Sequence, residues 1–114
     1  MSRRRVAILI SGGGSNMAAL ARDMADPSHP ALPCLVASNR PEAAGLARAA
    51  ALGIPVAALD HRAHAGREEF EAALQARLEA AGAEIVALAG FMRVLTPGFV
   101  GRWQGRMLNV HPSL

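Results

Sequence analysis

The sequence of 114 residues has no tyrosine and no lysine, and it contains one cysteine, one tryptophan and three phenylalanines. A single cysteine, Cys34, excludes an internal disulfide framework and a cysteine-based zinc site. All twelve basic residues are arginines. They are scattered apart from Arg3, Arg4 and Arg5, and no aromatic residues interleave with them, which argues against a nucleic-acid-binding surface. We expect these three arginines to form a solvated leader to the first strand.

Long apolar runs are also missing. No stretch approaches the roughly 20 apolar residues of a membrane-spanning helix, so no membrane association is expected. The apolar run near the start, "RVAILIS", is too short for the core of a secretory signal. These features are typical of a cytoplasmic protein, and the length allows a single domain over residues 1–114.

What the sequence does contain is an alternation of short apolar runs with alanine-rich stretches. Hydrophobic residues make up 52% of the chain, which favours a globular fold over disorder. The runs predict strands, and the stretches with apolar residues three and four apart predict helices. The predicted strands cover residues 6–10, 34–37, 56–59, 85–89 and 107–110. The predicted helices cover residues 17–24, 43–52 and 67–81, with a loop at 26–33 and an irregular or short-helical connection at 90–103.

This order of elements predicts a doubly wound α/β fold. Strands that are apolar at consecutive positions need cover on both faces, which is typical of a mostly parallel sheet with helices on each side. In such sheets ligands bind beyond the carboxyl ends of the strands. Four segments should therefore meet at one edge, namely residues 11–16, 38–40, 90–96 and the residues that begin with His111.

The first of these segments, "SGGGSN", runs from a strand into a helix. Three glycines at residues 12–14 allow the backbone to approach an anion, and Ser15 or Asn16 is suited to cap the helix, whose amino end attracts phosphate. The dinucleotide pattern G-x-G-x-x-G fails because Met17 replaces the third glycine, and residues 38–40 lack the acidic residue that follows strand two. A monophosphate ester fits best, and a tight turn that binds nothing is the alternative.

Asn109 and His111 form a second candidate site. Residues two apart on a strand point the same way, so both side chains can face one ligand. An amide can donate to a developing oxyanion while an imidazole moves a proton near neutral pH, which suits acyl transfer. A strand-end histidine bonded to the backbone is the alternative. Residues 89–97, "AGFMRVLTP", could wall a pocket for a flat ring system or could simply cover the core.

Together, "LISGGGSN", "ASNR", "LAGFMRVLTPGFV" and "GRMLNVHPSL" resemble the glycinamide ribonucleotide formyltransferase family. The resemblance runs in consistent order from residue 5 to residue 114. It implies transfer of a formyl group from 10-formyltetrahydrofolate to the substrate amine in purine biosynthesis. The reaction would pass through a tetrahedral intermediate, without a metal and without a covalent intermediate on the enzyme.

The resemblance also implies roles for particular residues. Met92, Arg93, Val94 and Leu95 would line the folate pocket, together with Arg67 at the start of the third helix. The phosphate of the ribonucleotide would bind to Gly14, Ser15 and Asn16. Asn109 would bind the formyl oxygen and contact the folate, and His111 would be the catalytic acid. His29, His61 and His64 are expected at the surface.

Family members continue beyond the position of Leu114, with about as much chain again and an aspartate that partners the histidine. The chain is therefore expected to be the ribonucleotide-binding, amino-terminal half of the enzyme, with little turnover by itself. Its partners would be the two small-molecule substrates. The sequence does not decide whether the chain also forms a homodimer. An inactive phosphate-binding fragment is an alternative, as are methionyl-tRNA formyltransferase and formyltetrahydrofolate deformylase, which share the Asn-x-His pair.

Overall fold

The computed structural model describes residues 3–110 and has, over that range, a sheet of five parallel strands. The spatial order of the strands is β3-β2-β1-β4-β5. The strands are β1 (Arg4–Ile10), β2 (Ala31–Ser38), β3 (Val56–Ala58), β4 (Ile85–Leu88) and β5 (Met107–Asn109). The helices are α1 (Ser15–Met24), α2 (Ala44–Ala51), α3 (Arg67–Ala80) and α4 (Pro97–Arg102), with a 3₁₀ helix at His61–Ala63. The predicted doubly wound α/β architecture is confirmed.

Alternation along β1 divides the core into two layers. Ile8 and Ile10 pack with α1 and α2 on one face, whereas Ala7 and Leu9 pack with α3 and α4 on the other. Because both faces are covered, consecutive residues of β1 from Val6 to Ile10 are buried, as expected for a central strand of a parallel sheet.

Of the predicted solvated leader, the exposure of Arg4 and Arg5 is confirmed, but both residues belong to β1 rather than preceding it, and Arg3 is half-buried. The Arg3 guanidinium donates to the carbonyl oxygens of His29 at 2.8 Å and Ala31 at 2.7 Å, and also to those of Met24 and Asp26. A guanidinium carries five N–H donors, so one side chain can satisfy carbonyls at the end of α1 and at the start of β2.

Strand β2 begins at Ala31, three residues earlier than predicted, within the stretch taken for a loop. The prolines of that stretch suggested the loop. Pro33 pairs with Val6 where the register shifts between Val6 and Ala7. A bulge is one of the few places where a strand tolerates a residue without an N–H, which is why proline did not end the strand.

Strand β5 was predicted to be buried, and this was wrong. Leu108 is 58% exposed, and Asn109 is exposed as well. The strand pairs with β4 and forms an edge of the described sheet. At an edge the helical layers give less cover, so an apolar sequence does not guarantee burial.

No helix within residues 3–110 combines the length and apolarity needed to span a bilayer.

Cys34 packs in the layer beneath α3 and is 4% exposed. Burial raises the pKa of its thiol above the ordinary value, which lowers the reactive thiolate fraction at any given pH. We expect an aromatic disulfide reagent at pH 8 to modify Cys34 at least about a hundredfold more slowly in the folded chain than in urea. Equal rates in the two conditions would contradict the burial.

Candidate functional site

The carboxyl edge of the sheet gathers three of the four segments expected there, namely residues 11–16, 38–40 and 90–96. Leu9 of β1 pairs with Leu88 of β4, and Leu88 pairs with Asn109 of β5. Neighbouring strands lie about 4.8 Å apart, so the end of β1 lies about 10 Å from Asn109. A small metabolite can span that distance. Strand β1 leads into residues 11–16, here called the glycine loop. His111 lies outside the described residues.

The glycine loop turns at Gly14, which has φ of 75° and occupies the N-cap position of α1. The prediction that Ser15 or Asn16 caps the helix was wrong, because α1 already begins at Ser15 and the preceding turn needs a left-handed residue, which glycine adopts without strain. The first backbone bond of the helix runs from the Ala18 N–H to the Gly14 carbonyl. The N–H groups of residues 15–17 therefore precede the helical ladder at the positive end of the helix dipole.

Helix α2 holds this loop from behind, a contact that sequence reasoning missed. The Gly45 N–H donates to the Gly12 carbonyl at 3.0 Å, and Arg48 Nη1 donates to the Gly13 carbonyl at 2.9 Å. A Cβ on Gly45 would lie 2.9 Å from the Gly12 oxygen and 3.1 Å from the Gly14 Cα. The close approach of the two backbones thus requires glycine at position 45, and a glycine inside a predicted helix was the available signal.

Residues 90–96, here called the rim segment, run along the same edge between β4 and α4. The segment leaves β4 through Gly90 at φ of 76°. Met92 is 76% exposed and Val94 67% exposed, whereas Arg93 and Leu95 are half-buried. The Arg93 guanidinium lies 5.7 Å from the ring centroid of Phe70 on α3, a cation–π distance. Two apolar side chains of the predicted folate pocket therefore face solvent at the rim.

A buried carboxylate on α3 fastens the far end of the rim segment. Glu71 is 6% exposed and accepts hydrogen bonds from the Thr96 N–H at 2.7 Å and the Thr96 hydroxyl at 2.5 Å. Thr96 in turn caps α4 by accepting from the Phe99 N–H. Sequence reasoning missed Glu71, although a carboxylate three residues before Leu74 and seven before Leu78 lies on the apolar face of the helix.

A second buried hydrogen-bond network lies under the near end of the rim segment, at Met92. The Met92 N–H donates to Ser11 Oγ at 2.8 Å, and the Ser11 hydroxyl donates to Asn39 Oδ1 at 2.5 Å. Ser11 is 5% and Asn39 2% exposed. Asn39 Nδ2 lies 3.2 Å from His61 Nδ1, which also lies 3.1 Å from the Asn39 carbonyl oxygen. Either tautomer of His61 therefore holds Asn39 in place.

The other histidines also differ from the prediction that they lie at the surface. The His29 side chain is 24% exposed and accepts from the Ala31 N–H at 2.9 Å. The His64 side chain is 19% exposed, packs edge-on against Phe70 and lies 3.5 Å from Glu69. All three are half-buried because each ring organises a turn at a strand or helix end.

Arg67 is the remaining predicted site residue, and Asp60 was not predicted to belong to the site. Arg67 is exposed at the first position of α3, one turn before Phe70, the ring that Arg93 covers. Asp60 follows β3 and receives hydrogen bonds from the Arg62 side chain and backbone, which lower the pKa of its carboxyl. Within residues 3–110, histidine, cysteine and carboxylate side chains form no group of three that could hold a metal ion.

Comparison with known proteins identifies relatives of this chain in both sequence and structure. The chain is 49% identical over 115 residues to the trifunctional purine biosynthetic protein adenosine-3 of Drosophila melanogaster, a match that covers 98% of the chain and 8% of that protein. It is 38% identical to the phosphoribosylglycinamide formyltransferase of Escherichia coli (strain K12), covering 96% of the chain and 51% of that enzyme. The crystal structure of phosphoribosylglycinamide formyltransferase from Brucella melitensis superimposes with a TM-score of 0.94 at 45% identity, covering 99% of the chain and 59% of that structure.

The chain therefore spans about half the length of these bacterial relatives. A family model described as formyl transferase matches residues 4–114, nearly the whole sequence. Together with the glycine loop, the rim segment and Asn109 on one edge, this match shows that the chain belongs to the formyl transferase family.

Proposed function

We propose that this protein takes part in purine biosynthesis by binding glycinamide ribonucleotide and 10-formyltetrahydrofolate for transfer of the formyl group to the ribonucleotide amine. The observation that carries the proposal is the position of the glycine loop, the rim segment and Asn109 along one sheet edge. Relatives that match almost all of the chain are named phosphoribosylglycinamide formyltransferases. Both substrates are small metabolites, and we place the reaction in the cytoplasm.

The phosphate of the ribonucleotide would bind at the amino end of α1. Gly14, Ser15 and Asn16 present backbone N–H groups there, and helix amino ends favour anions. Support comes from the left-handed turn at Gly14 and from α2, which holds the carbonyls of Gly12 and Gly13 through Gly45 and Arg48. With those carbonyls bonded elsewhere, the loop is suited to a negative ligand.

The folate would lie against the rim segment. The residues present fit an extended ring system, because Met92 and Val94 offer exposed apolar surface and Leu95 is half-buried against the core. Burying such surface against a ligand stabilises binding by about 25 cal/mol per Å². Arg93 and Arg67, both near the first turns of α3, would complete the pocket.

Asn109 and His111 would carry the chemistry. The Asn109 amide would donate to the formyl oxygen as negative charge develops on it. The amine nitrogen bonds to the formyl carbon, the bond from that carbon to folate N10 breaks, and His111 would pass the proton lost by the amine to N10. Asn109 is exposed at the end of β5 and so is accessible to both substrates.

Calorimetric titration with glycinamide ribonucleotide tests the phosphate site. Ser15→Asp should weaken binding about tenfold or more, since a carboxylate in the first turn of α1 repels the phosphate. The same change should leave the helix as stable as before or slightly more so, because a negative charge at this end complements the dipole. Ala19→Asp, one turn further along α1 at another exposed position, is the matched control and should bind nearly as the unmodified chain does.

Two results would overturn the proposal. One is tighter binding of NAD than of glycinamide ribonucleotide, which would indicate a dinucleotide site. The other is equal weakening by Ser15→Asp and Ala19→Asp, which would place the phosphate away from the glycine loop.

A further inference from the structure

The rim segment keeps two apolar side chains in solvent while its backbone is held in place. Met92 and Val94 are the most exposed large hydrophobic residues of the described chain. Phe91 and Leu95 of the segment pack against the core layer beneath α3, but the exposed side chains of Met92 and Val94 add little such stabilisation. Their outward placement therefore depends on the contacts made by the backbone of the segment.

Those contacts are polar and come from two other parts of the fold. At the far end, Glu71 accepts from the N–H and hydroxyl of Thr96. At the near end, Ser11 Oγ accepts from the Met92 N–H across 81 positions of sequence. Met92 is thus fixed at its N–H while its side chain extends into solvent.

The Ser11 hydroxyl is itself held in one orientation. It donates to Asn39 Oδ1 at 2.5 Å, so a lone pair faces the Met92 N–H. Asn39 is 2% exposed and is held in turn by His61. Polar groups buried this deeply are costly to leave unpaired, so the network favours a single arrangement. It connects the carboxyl ends of β1, β2 and β3 to the segment that follows β4.

Ser11 also directly precedes Gly12. The residue that anchors the rim segment is therefore also the first residue of the glycine loop, and its hydroxyl connects the two parts of the proposed site. We infer that Ser11, oriented by Asn39, is a positioning residue that holds the rim segment, with Met92 and Val94 outward, in the conformation that receives the folate. This inference rests on the proposed function for the identity of the ligand, but the anchoring itself can be measured without any ligand.

Amide hydrogen exchange of Met92, followed by NMR, tests the anchoring. In Ser11→Ala, Met92 should exchange about five- to tenfold faster, as expected for the loss of one hydrogen bond. The Ala89 N–H, which donates to the Leu9 carbonyl in the adjacent ladder, should be unchanged and serves as an internal reference for global opening. Ser11→Thr retains a hydroxyl and should restore slow exchange at Met92.

Ser28→Ala is the matched control, because the Ser28 hydroxyl is exposed and bonds only to Asp26 within its own turn in the described structure. It should leave Met92 unaffected. Asn39→Ala is a second variant that frees the Ser11 hydroxyl without removing it, and it should also accelerate Met92 exchange. It provides the test if Ser11→Ala fails to fold. Unchanged Met92 exchange in the folded variants, or equally fast exchange in Ser11→Ala and Ser11→Thr, would overturn the inference.

Titration with 5-formyltetrahydrofolate, a stable analogue, then connects the anchoring to binding. We expect Ser11→Ala to weaken its affinity severalfold and Ser11→Thr to bind as the unmodified chain does. Faster Met92 exchange with unchanged affinity would overturn the positioning role. If the unmodified chain bound no folate, the proposed function would fail at that point, whereas the exchange data would still decide whether Ser11 anchors the segment.

Discussion

Gly45→Ala is expected to lower the free energy of unfolding by about 1–3 kcal/mol, the usual range for an overpacked site, and to weaken ribonucleotide binding. The added Cβ would lie 2.5 Å from Ile10 Cδ1 and would also crowd the backbone of Gly12 and Gly14. Ile10 is fully buried, so it has little room to move. The glycine loop must then shift away from α2. Urea unfolding and titration with glycinamide ribonucleotide measure the two effects.

Gly101→Ala is the matched control, because Gly101 also lies in a helix, α4, and its added Cβ has no contact within 4 Å to any other part of residues 3–110 beyond its own helix backbone and chain neighbours. Alanine is a better helix former than glycine by about 0.5–1 kcal/mol. This variant should therefore be as stable as the unmodified chain or more stable, and it should bind the ribonucleotide equally well. Similar destabilisation by both substitutions would show that the contact between α2 and the glycine loop is not what requires Gly45.

His111→Ala is expected to reduce turnover by about 10²–10⁴-fold in any form of the protein that shows formyl transfer, as expected for loss of a general acid or base. Asn109→Ala should produce a loss of about 10²–10³-fold, typical of removing one donor to a developing oxyanion. Both variants should bind glycinamide ribonucleotide almost normally, since the proposed phosphate site follows β1, whereas Asn109 ends β5 and His111 comes two residues later in the sequence. Steady-state kinetics combined with calorimetric titration separates the two effects.

His29→Ala is the control for histidine replacement. His29 organises the start of β2 at the amino edge of the sheet, opposite to the candidate site. Its loss should reduce stability but leave the turnover of the folded protein intact. If His111→Ala had no more effect on turnover than His29→Ala, another group would carry the proton.

The local pattern of hydrophobic residues was sufficient to predict most of the secondary structure. The five strands and three long helices could be predicted because burial on both faces requires apolar residues at consecutive positions of a strand, and a helix repeats them every three or four residues. Boundaries were less reliable. Pro33 suggested a loop but lies at a bulge in β2, and Leu108 suggested burial but is 58% exposed. Pro33 is accommodated by the register shift between β2 and β1. Leu108 is exposed because β5 forms an edge of the described sheet.

The candidate site could likewise be predicted only in part. The glycine loop, residues 90–96 and Asn109 could be assigned to one edge from sequence, since parallel strands bring their carboxyl ends together. The residues that hold these segments were missed, because each contact joins distant positions. Ser11 bonds Asn39 across 28 positions, and Glu71 bonds Thr96 across 25. No periodicity within one element marks such pairs.

The amino-acid order alone thus determined which strands and helices form and which edge holds the candidate site, because hydrophobic periodicity and strand direction act over short stretches of chain. Only the tertiary structure decided how the working segments are held: Gly45 against Gly14, Ser11 under Met92, and Glu71 under Thr96. Close approach and buried hydrogen bonds depend on distances between elements, which are set only when the sheet and both helical layers have packed together.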